Sequence, residues 1–341
     1  MGYPEIENHL THEVESLFLT DEEGCPLFVP VVKATYAIDG KGGADGGVSL
    51  AQVQEPVNLE GAYWGDPEAS SYKYEPEVAF VKPATDVILI GHAHARKPGV
   101  TALKVSLTVG PIQKTAAVFG NRYWYKSMGI ATATKPQPFE KIPLIAERAF
   151  GGWDRRHPDP AKHRFEPCNP VGIGFHAKGT RLEEGRSLPN IEYPSARMKH
   201  YRDTPPPALF GYVCPHWQPR AGFAGTYDEV WQSSRMPLLP KDFDRRFLCG
   251  APSDQIVPGF LRGDEMVAIS NVTMNGRLLF KLPATPPAVC RVRLKRKPDQ
   301  HLKTQLDTVI INTDEMRLYL LWRAFLRIPK GFEEVEAVQI D

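Results

Sequence analysis

The chain has 341 residues, with 41 Lys and Arg against 40 Asp and Glu, which gives a formal net charge of +1. This balance excludes the large basic excess that domains built to hold a nucleic-acid backbone usually carry. The chain also contains 32 prolines, where average usage of about 5% predicts roughly 17. Because proline disrupts helix interiors, this count argues against an all-α bundle or a coiled coil and favours short strands joined by rigid turns.

The N-terminal region, residues 1–135, predicts an antiparallel β assembly. Residues 27–37 are rich in β-branched and aromatic side chains and predict a strand, in which Pro30 marks a bulge or a sheet edge. The glycine-rich stretch 39–47 predicts a loop, and residues 48–53 resume the extended pattern.

Two longer strand signals follow in the same region. Residues 84–95 form an apolar run that is typical of a buried strand. Residues 101–120 alternate apolar and polar positions, as a half-buried strand requires. Gly110 followed by Pro111 predicts a turn inside this second stretch, so its two halves are expected to pair as a hairpin.

The central region, residues 136–265, has few periodic stretches, and prolines recur in it every few residues among aromatic and arginine side chains. Disordered segments are depleted in aromatic residues, so this composition predicts ordered, irregular structure laid over a β framework. Within it, residues 226–233 fit a short helix, because Thr226 and Glu229 match a capping box.

The C-terminal region, residues 266–341, predicts further strands that complete the same compact unit. The Asn275-Gly276 pair lies between two apolar runs and predicts a hairpin with a type I′ turn. Residues 288–297 alternate basic and apolar side chains, a pattern typical of a protected sheet edge. Residues 306–329 predict two strands, with a strand followed by a helix as the alternative.

The three regions together predict a mainly β protein. Its framework is expected to be antiparallel and β-sandwich-like, with a large irregular central region rich in proline, glycine and aromatic residues and with few short helices. No run of about 18 apolar residues predicts a transmembrane helix, and the acidic N-terminus does not match a signal peptide. We therefore expect a cytoplasmic protein with neither a membrane nor a nucleic acid as its partner.

Five cysteines are widely spaced and form no CxxC pair, which excludes a zinc ribbon and is typical of buried thiols in a reducing compartment. They are Cys25, Cys168, Cys214, Cys249 and Cys290. Cys214 and His216 are a candidate pair for cysteine–histidine catalysis, but their spacing identifies no third residue that would orient the histidine. The chain has no GxSxG, HExxH, Walker or dinucleotide-binding motif.

Two groups of histidines are candidates for chemistry. His92 and His94 lie two residues apart, so in a strand they share one face, which suits either a metal site or a polar strand face. His157 and His163 flank Asp159, which suits either acid–base or metal chemistry or a charged surface loop. Neither group supplies a spacing-fixed third ligand, so no metal or other cofactor is predicted.

Seven short motifs occur in order through the central region. They are ERAFGG (147–152), NPVGIGF (169–175), LPNIE (188–192), WQPR (217–220), AGTYDEVW (224–231), PLLPKDFD (237–244) and APSDQ (251–255). This ordered set resembles a bacterial family of domains of unknown function, encoded beside PAAR-like spike-tip proteins and toxic effectors in type VI secretion clusters. The resemblance covers roughly residues 19–328.

The resemblance implies a non-enzymatic adaptor or chaperone that binds a type VI effector or a PAAR-like protein and helps to load it onto the VgrG spike. It carries over no catalytic residue. Tryptophan, tyrosine and arginine dominate protein interfaces, so motif residues of these kinds, with their aromatic and acidic neighbours, are the candidates for the ordered centre and for partner contact. These candidates are Arg148, Phe150, Trp153, Trp217, Arg220, Tyr227, Trp231 and Asp244.

Other interpretations stay open at this point. The candidates can be wholly architectural, with Arg148 or Arg220 paired to Asp228 or Asp244 beneath aromatic side chains. A metal-assisted hydrolase that uses the histidines is a second function. A carbohydrate-binding β-sandwich is a third, because surface tryptophans also stack on sugars.

Overall fold

The computed structural model describes residues 4–39, 47–285 and 287–341; residues 40–46 of the predicted glycine-rich loop lie outside the described residues. The strands of the N-terminal region are β1 (Glu5–Asn8), β2 (Glu13–Thr20), β3 (Pro26–Ile38), β4 (Val48–Leu50), β5 (Ala62–Tyr63), β6 (Tyr72–Tyr74), β7 (Thr85–Ile90), β8 (His92–His94), β9 (Ala102–Val109), β10 (Ile112–Phe119), β11 (Trp124–Ser127) and β12 (Ile130–Ala133).

The central region contributes only very short strands and helices. Its strands are β13 (Lys141–Pro143), β14 (Phe150–Gly151), β15 (Trp153–Asp154), β16 (Arg164–Phe165), β17 (Ile173–Gly174), β18 (Ile191–Glu192) and β19 (Ile256–Val257). Its helix α1 spans Glu229–Ser234. Its 3₁₀ turns are Ala146–Arg148, Pro160–Lys162, Arg220–Phe223, Arg245–Leu248 and Ser253–Gln255.

The C-terminal region returns to longer strands. They are β20 (Met266–Ser270), β21 (Arg277–Lys281), β22 (Val289–Leu294), β23 (Gln300–Lys303), β24 (Gln305–Asn312), β25 (Arg317–Arg323), β26 (Leu326–Arg327) and β27 (Val335–Ile340), with a 3₁₀ turn at Phe332–Glu334. Strands hold 38% of the residues and helices 8%, against about 20–25% and 30–35% in an average globular domain. The predicted mainly β class is confirmed, with few short helices.

Three larger sheets form the framework. The main sheet has the order β19-β7-β24-β25-β3-β2, with β4 and β26 also paired to β3. A five-stranded sheet has the order β18-β10-β9-β20-β21, and a four-stranded sheet has the order β1-β27-β22-β23. Most pairs are antiparallel, but β7 runs parallel to β24 and β1 runs parallel to β27. Each large sheet joins strands from both ends of the chain, whereas the division at residues 135 and 265 stays a prediction.

One core lies between the inner face of the main sheet and the other two large sheets. Phe28 and Val309 come from the main sheet, Leu107 from the five-stranded sheet and Val292 from the four-stranded sheet, and all four are fully buried. Alternate residues of the same main-sheet strands, such as Val29, face the opposite way. Because both faces are covered, the central strands read as continuous apolar runs.

Part of the irregular central region, between residues 212 and 256, covers the outer face of the main sheet. Tyr212 and Ala251 are buried there against Val29 and Ile310, and Phe243 packs on the same cluster. The central region is therefore a structural layer rather than a linker, as its aromatic content predicted.

The two hairpins predicted from local sequence form. Strands β9 and β10 pair from Val109↔Ile112 outward, across the Gly110-Pro111 turn. Strands β20 and β21 also pair, but the ladder stops at Ser270↔Arg277. The loop is therefore six residues long, and the two-residue type I′ turn predicted for Asn275-Gly276 is wrong. Residues 306–329 form strands rather than a helix, with β24 paired to β25.

Three local predictions need correction. Pro30 lies within the interior strand β3, at the gap between its partners β25 and β26, so it marks an irregularity and not an edge. Strand β22 has the predicted alternation of exposed and buried side chains but is flanked by β27 and β23, so it is not an edge strand. The cap of α1 is Asp228, whose carboxylate accepts the Trp231 N–H at 2.8 Å, while Thr226 bonds Asp242 instead.

No helix in the described part of the chain is long and apolar enough to cross a lipid bilayer. The single α-helix there has six residues, and a crossing needs about 20.

Buried ion pairs fasten the segment 75–82 to the main sheet. Arg323 on β25 pairs with Asp307 at 2.7 Å and also donates to the carbonyls of Ala79 and Glu77. The Glu77 carboxylate in turn pairs with Lys33 on β3 at 2.8 Å. Since buried charges are costly unless they are paired, these contacts hold the segment in one position on the sheet.

A third pair lies at the other end of the segment. Lys82 pairs with Asp86 on β7 at 2.7 Å and donates to the Thr308 hydroxyl at 2.9 Å. Asp86 also accepts the backbone N–H of Gly250 at 2.8 Å. Asp86, which lies within an apolar run of the sequence, thus connects the segment 75–82 to the loop that contains Gly250.

Removing one charge of the Arg323–Asp307 pair is expected to be costly. Arg323→Met leaves Asp307 buried without its counterion, so the free energy of unfolding should fall by about 3–5 kcal/mol in urea titrations. The matched control is Lys281→Met in the exposed Lys281–Asp264 pair, whose atoms are 3.7 Å apart. That change should stay within about 1 kcal/mol. Equal losses for the two variants would contradict a structural role for the buried pair.

Candidate protein-binding surface

Three of the eight candidate residues are buried. Phe150 packs with Trp124 and Leu188 beneath the loops. Trp217 packs with Val213 and Cys214 in a neighbouring cluster. These aromatic side chains are therefore part of the ordered centre and cannot contact a partner directly.

Arg220 is the third buried candidate, and it connects separate loops. Its guanidinium donates to the carbonyls of Phe247 and Val213, both at 2.7 Å, and pairs with Glu75 at 2.6 Å. The predicted pairing of Arg148 or Arg220 with Asp228 or Asp244 is wrong, because Arg220 pairs with Glu75 and Arg148 contacts Asn190.

The two aspartates have local roles. Asp228 caps α1, and Asp244 caps the next 3₁₀ turn and pairs with Arg246 at 2.6 Å. The sequence did not single out Glu75, because it lies in the N-terminal region, far from the motifs.

Arg148 is half-buried at the end of a 3₁₀ turn. Its carbonyl accepts the N–H of Asn190 at 2.8 Å, and its guanidinium reaches the Asn190 side chain at 3.4 Å. The Asn190 amide donates to the Phe119 carbonyl at 3.0 Å, which connects this motif to β10. Arg148 therefore helps to join two motifs to the five-stranded sheet.

The ERAFGG and NPVGIGF motifs pack backbone on backbone. The Asn169 amide donates to the carbonyls of Ala146 at 2.8 Å and Phe150 at 3.0 Å. Gly152 has φ +95, and a Cβ there would collide with the carbonyl oxygen of Gly172. Asn169 thus supplies hydrogen bonds to backbone carbonyls of the loop. Gly152 leaves the space in which the two backbone segments come into contact.

The remaining candidates reach solvent in two places. Trp153 is 40% exposed and stacks on Phe165 at 4.4 Å between ring centroids. Tyr227 is 53% exposed and lies edge-on to Trp231 at 4.7 Å, while the Trp231 indole donates to the Leu238 carbonyl at 2.8 Å. Trp231 therefore positions the α1 loop, and Tyr227 and Trp153 present aromatic faces to solvent.

An open groove of about 390 Å³ crosses the motif-rich loops, and we call it the apolar groove. It is lined mainly by apolar side chains such as Phe223 and Ile256, and also by Arg246 and the buried Arg220. The Arg246 guanidinium lies over the Phe223 ring at 4.2 Å. The sequence did not single out Phe223, which directly precedes the AGTYDEVW motif, or Arg246, which lies two residues after the PLLPKDFD motif.

Two of the candidate histidines, His92 and His163, make local contacts. His92 pairs with Asp314 at 2.8 Å, and His163 contacts the backbone of His157 in an exposed loop at 3.0 Å. Within residues 4–39, 47–285 and 287–341, no three His, Cys, Asp or Glu side chains come together as metal ligands.

The Cys214–His216 pair is also not built for nucleophilic attack. Burial raises the pKa of Cys214 to about 12, which keeps the thiol protonated. The His216 side chain contacts Trp217 instead, and its Nε2 accepts the Trp217 indole N–H at 2.9 Å.

Lys114 on β10 connects that strand to the APSDQ motif. Its side chain is fully buried, donates to the Leu209 carbonyl and pairs with Asp254 of the APSDQ motif at 2.7 Å. Asp254 also accepts the Tyr193 hydroxyl at 2.8 Å. Burial lowers the pKa of Lys114 to about 8, and Asp254 opposes the shift only in part.

These features define a mainly β protein whose irregular motif-rich loops are fixed on the outer face of a mixed sheet and carry an apolar groove. The chain belongs to the family described as an uncharacterized protein conserved in bacteria (DUF2169), whose model matches residues 23–323. No curated protein and no solved structure matches the chain. The predicted membership of a bacterial family of unknown function is confirmed, whereas the link to type VI secretion stays a prediction.

The glycine of the ERAFGG motif gives a test of the backbone packing. Gly152→Ala should lower the free energy of unfolding by more than about 3 kcal/mol, because it adds a collision to the cost of a positive φ. The matched control is Gly179→Ala, which has φ +81 but open space around its Cβ position. That variant should lose only about 1–2 kcal/mol in the same denaturant titration. Similar losses would show that crowding at Gly152 is unimportant.

The buried lysine predicts a specific pH dependence. Between pH 8 and 10.5, the unfolded chain keeps a proton on Lys114 that the folded protein has lost. The free energy of unfolding should therefore rise with pH across this window, by up to about 3 kcal/mol from this group alone. The variant Lys114→Met lacks the titrating group, so its free energy of unfolding should rise less between pH 8 and 10.5 than that of the parent protein. A variant curve parallel to that of the parent protein would contradict the assignment.

Proposed function

We propose that this protein is a non-enzymatic adaptor, or chaperone, that binds a type VI secretion effector or a PAAR-like protein in the cytoplasm and helps to load it onto the VgrG spike. The ordered motifs that resemble such adaptors support the proposal. The PLLPKDFD and APSDQ motifs pack on the outer face of the main sheet, and the AGTYDEVW motif exposes Tyr227 to solvent, where a partner can reach it.

The observation that carries the proposal furthest is the apolar groove itself. It combines an aromatic ring, Phe223, with a stacked guanidinium, Arg246, and Tyr227 belongs to the adjoining loop. Aromatic and arginine side chains in a desolvating hollow are the residue types that dominate protein-binding energy.

Buried ion-pair and hydrogen-bond contacts fix the backbone around the groove. Arg220 lines the groove and pairs with Glu75, and the Gln255 amide donates to the carbonyls of Val87 and Phe210 at 2.6 and 2.9 Å. A surface whose backbone is fixed before binding loses less conformational entropy when a partner docks. This is a physical advantage for a protein that must hold an unloaded effector.

Substitutions of Phe223, which lines the groove, and of Tyr227, in the loop that follows Phe223 along the chain, should separate binding from folding. Phe223→Ala and Tyr227→Ala should each weaken capture of the effector or PAAR-like protein by about tenfold, as expected for a central aromatic contact. Capture is measured by co-purification from cells that produce both proteins. The control Phe332→Ala removes an aromatic side chain whose exposure is comparable to that of Tyr227 and which packs on Phe18 away from the groove. It should leave capture unchanged.

Arg220→Met should instead lower stability and capture together, because it leaves Glu75 buried without its counterion. Normal capture by the Phe223 and Tyr227 variants would remove the groove as the binding face. Failure of the parent protein to retain any effector, PAAR-like protein or VgrG would remove the proposal. A stoichiometric transition metal would favour a hydrolase, and glycan binding without a protein partner would favour a carbohydrate-binding module.

A further inference from the structure

The four-stranded sheet ends in a strand whose outer edge is unpaired within the described residues. Strand β23 pairs only with β22, with Val289 opposite Lys303 and Arg291 opposite His301. An open strand edge presents a row of backbone donors and acceptors that can bind another extended chain.

The hydrogen-bond pattern identifies which backbone groups are open. Thr304 donates its N–H to the Ala288 carbonyl at 3.1 Å, so this opposing pair is hydrogen-bonded. Such pairs alternate along an antiparallel ladder, and Leu302 must therefore bond to β22. The N–H and C=O groups of His301 and Lys303 then point away from β22, toward the open side.

A pocket of about 490 Å³ opens beside this edge. Leu302 and Lys303 of β23 form part of its wall, and Phe80, Phe260 and Phe325 supply aromatic surface. Phe260 and Phe325 are both exposed. The buried charges that also line the pocket, such as Arg323 and Lys82, are neutralised by their own aspartates. The pocket therefore offers room for an apolar side chain.

The surroundings of the edge are basic. Arg293 and Lys295 project from the exposed face of β22 and its extension, and Lys303 lies on β23 itself. None of these three side chains has an ion-pair partner in the described ranges, whereas Arg291 is paired with Asp299 at 2.9 Å. We call β23 with these three residues the basic edge. Its charge repels the same edge of a second copy and favours a negatively charged chain.

We propose that the basic edge binds an extended acidic segment of the loaded protein. The segment adds as a strand to β23, forms backbone hydrogen bonds with His301 and Lys303, and places one apolar side chain in the neighbouring pocket. For the identity of the partner this inference rests on the proposed function. It adds a second contact region next to the apolar groove, because Pro83 lines both the groove and the pocket.

Two substitutions at one position separate backbone pairing from charge. Lys303→Ala removes the charge and keeps the N–H, whereas Lys303→Pro also removes the outward-facing N–H. The probe is a short fluorescent peptide in which Glu alternates with Leu and Phe, and its affinity is measured by anisotropy. Lys303→Ala should bind about threefold more weakly than the parent protein, and Lys303→Pro about tenfold more weakly than Lys303→Ala. Equal affinities for the two variants would overturn strand addition.

A measurement on the parent protein covers the case in which the proline variant does not fold. Saturating peptide should slow amide hydrogen exchange at His301 and Lys303, while Ile6 on the opposite edge strand of the same sheet should not change. Unchanged exchange at His301 and Lys303 would overturn the proposal.

Other occupants give different outcomes. A single-stranded DNA oligonucleotide that competes with the peptide, is lost with Arg293→Glu and is retained by Lys303→Pro would show a polyanion site instead. Strand β1 carries the exposed Glu5 and Glu7, so a second copy could present an acidic edge. Concentration-dependent association that Lys303→Pro abolishes would show that occupant.

The two proposals can fail separately. If the parent protein co-purifies with its effector and Lys303→Pro does so equally well, the basic edge is not the contact and the adaptor function stands. If the parent protein binds the acidic peptide through His301 and Lys303 but retains no secretion protein, the edge stands and the adaptor function fails.

Discussion

The structure depends on the attachment of the segment 75–82 to the outer face of the main sheet. That sheet is apolar on both faces, and its outer face is covered by loops that have little regular structure of their own. The loops are positioned by buried charges, with Lys33, Asp86 and Arg323 on the strands and Glu77 and Lys82 on the segment. Each charge is fully buried or nearly so, and a different placement of the segment would leave charges unpaired in a medium of low dielectric constant.

The motif-rich loops extend this arrangement by a second device. Asn169, Asn190 and Gln255 each donate a side-chain amide N–H to backbone carbonyls of the loops or of the strands beside them. Buried backbone groups need partners, and in irregular structure side chains must supply them. This explains why short motifs with asparagine, glutamine and glycine recur through a region that lacks periodicity. Most motif residues are thus committed to the fold, and the exposed Trp153 and Tyr227 are exceptions.

Neighbouring side chains of the loops therefore have different roles: buried ones hold the fold together, and exposed ones are available to a partner. Arg220 is buried and fastens the loops to Glu75, while Arg246 lies on the surface over Phe223. The proposed adaptor function draws on the exposed members of such pairs, and the buried members keep the surface rigid. The apolar groove and the basic edge would then contact different parts of a partner, which raises affinity without enlarging either site.

Features that depend on neighbouring residues could be predicted from the amino-acid sequence. Alternation of apolar and polar positions located β9, β10 and β22, and the aromatic content of the central region predicted order despite its prolines. Which distant segments meet could not be predicted and is seen only in the folded protein. The fold pairs Arg220 with Glu75 rather than with a nearby aspartate, and it places β22 inside its sheet. Local patterns record burial and turns, whereas ion-pair partners and strand neighbours depend on segments that the chain brings together only when it folds.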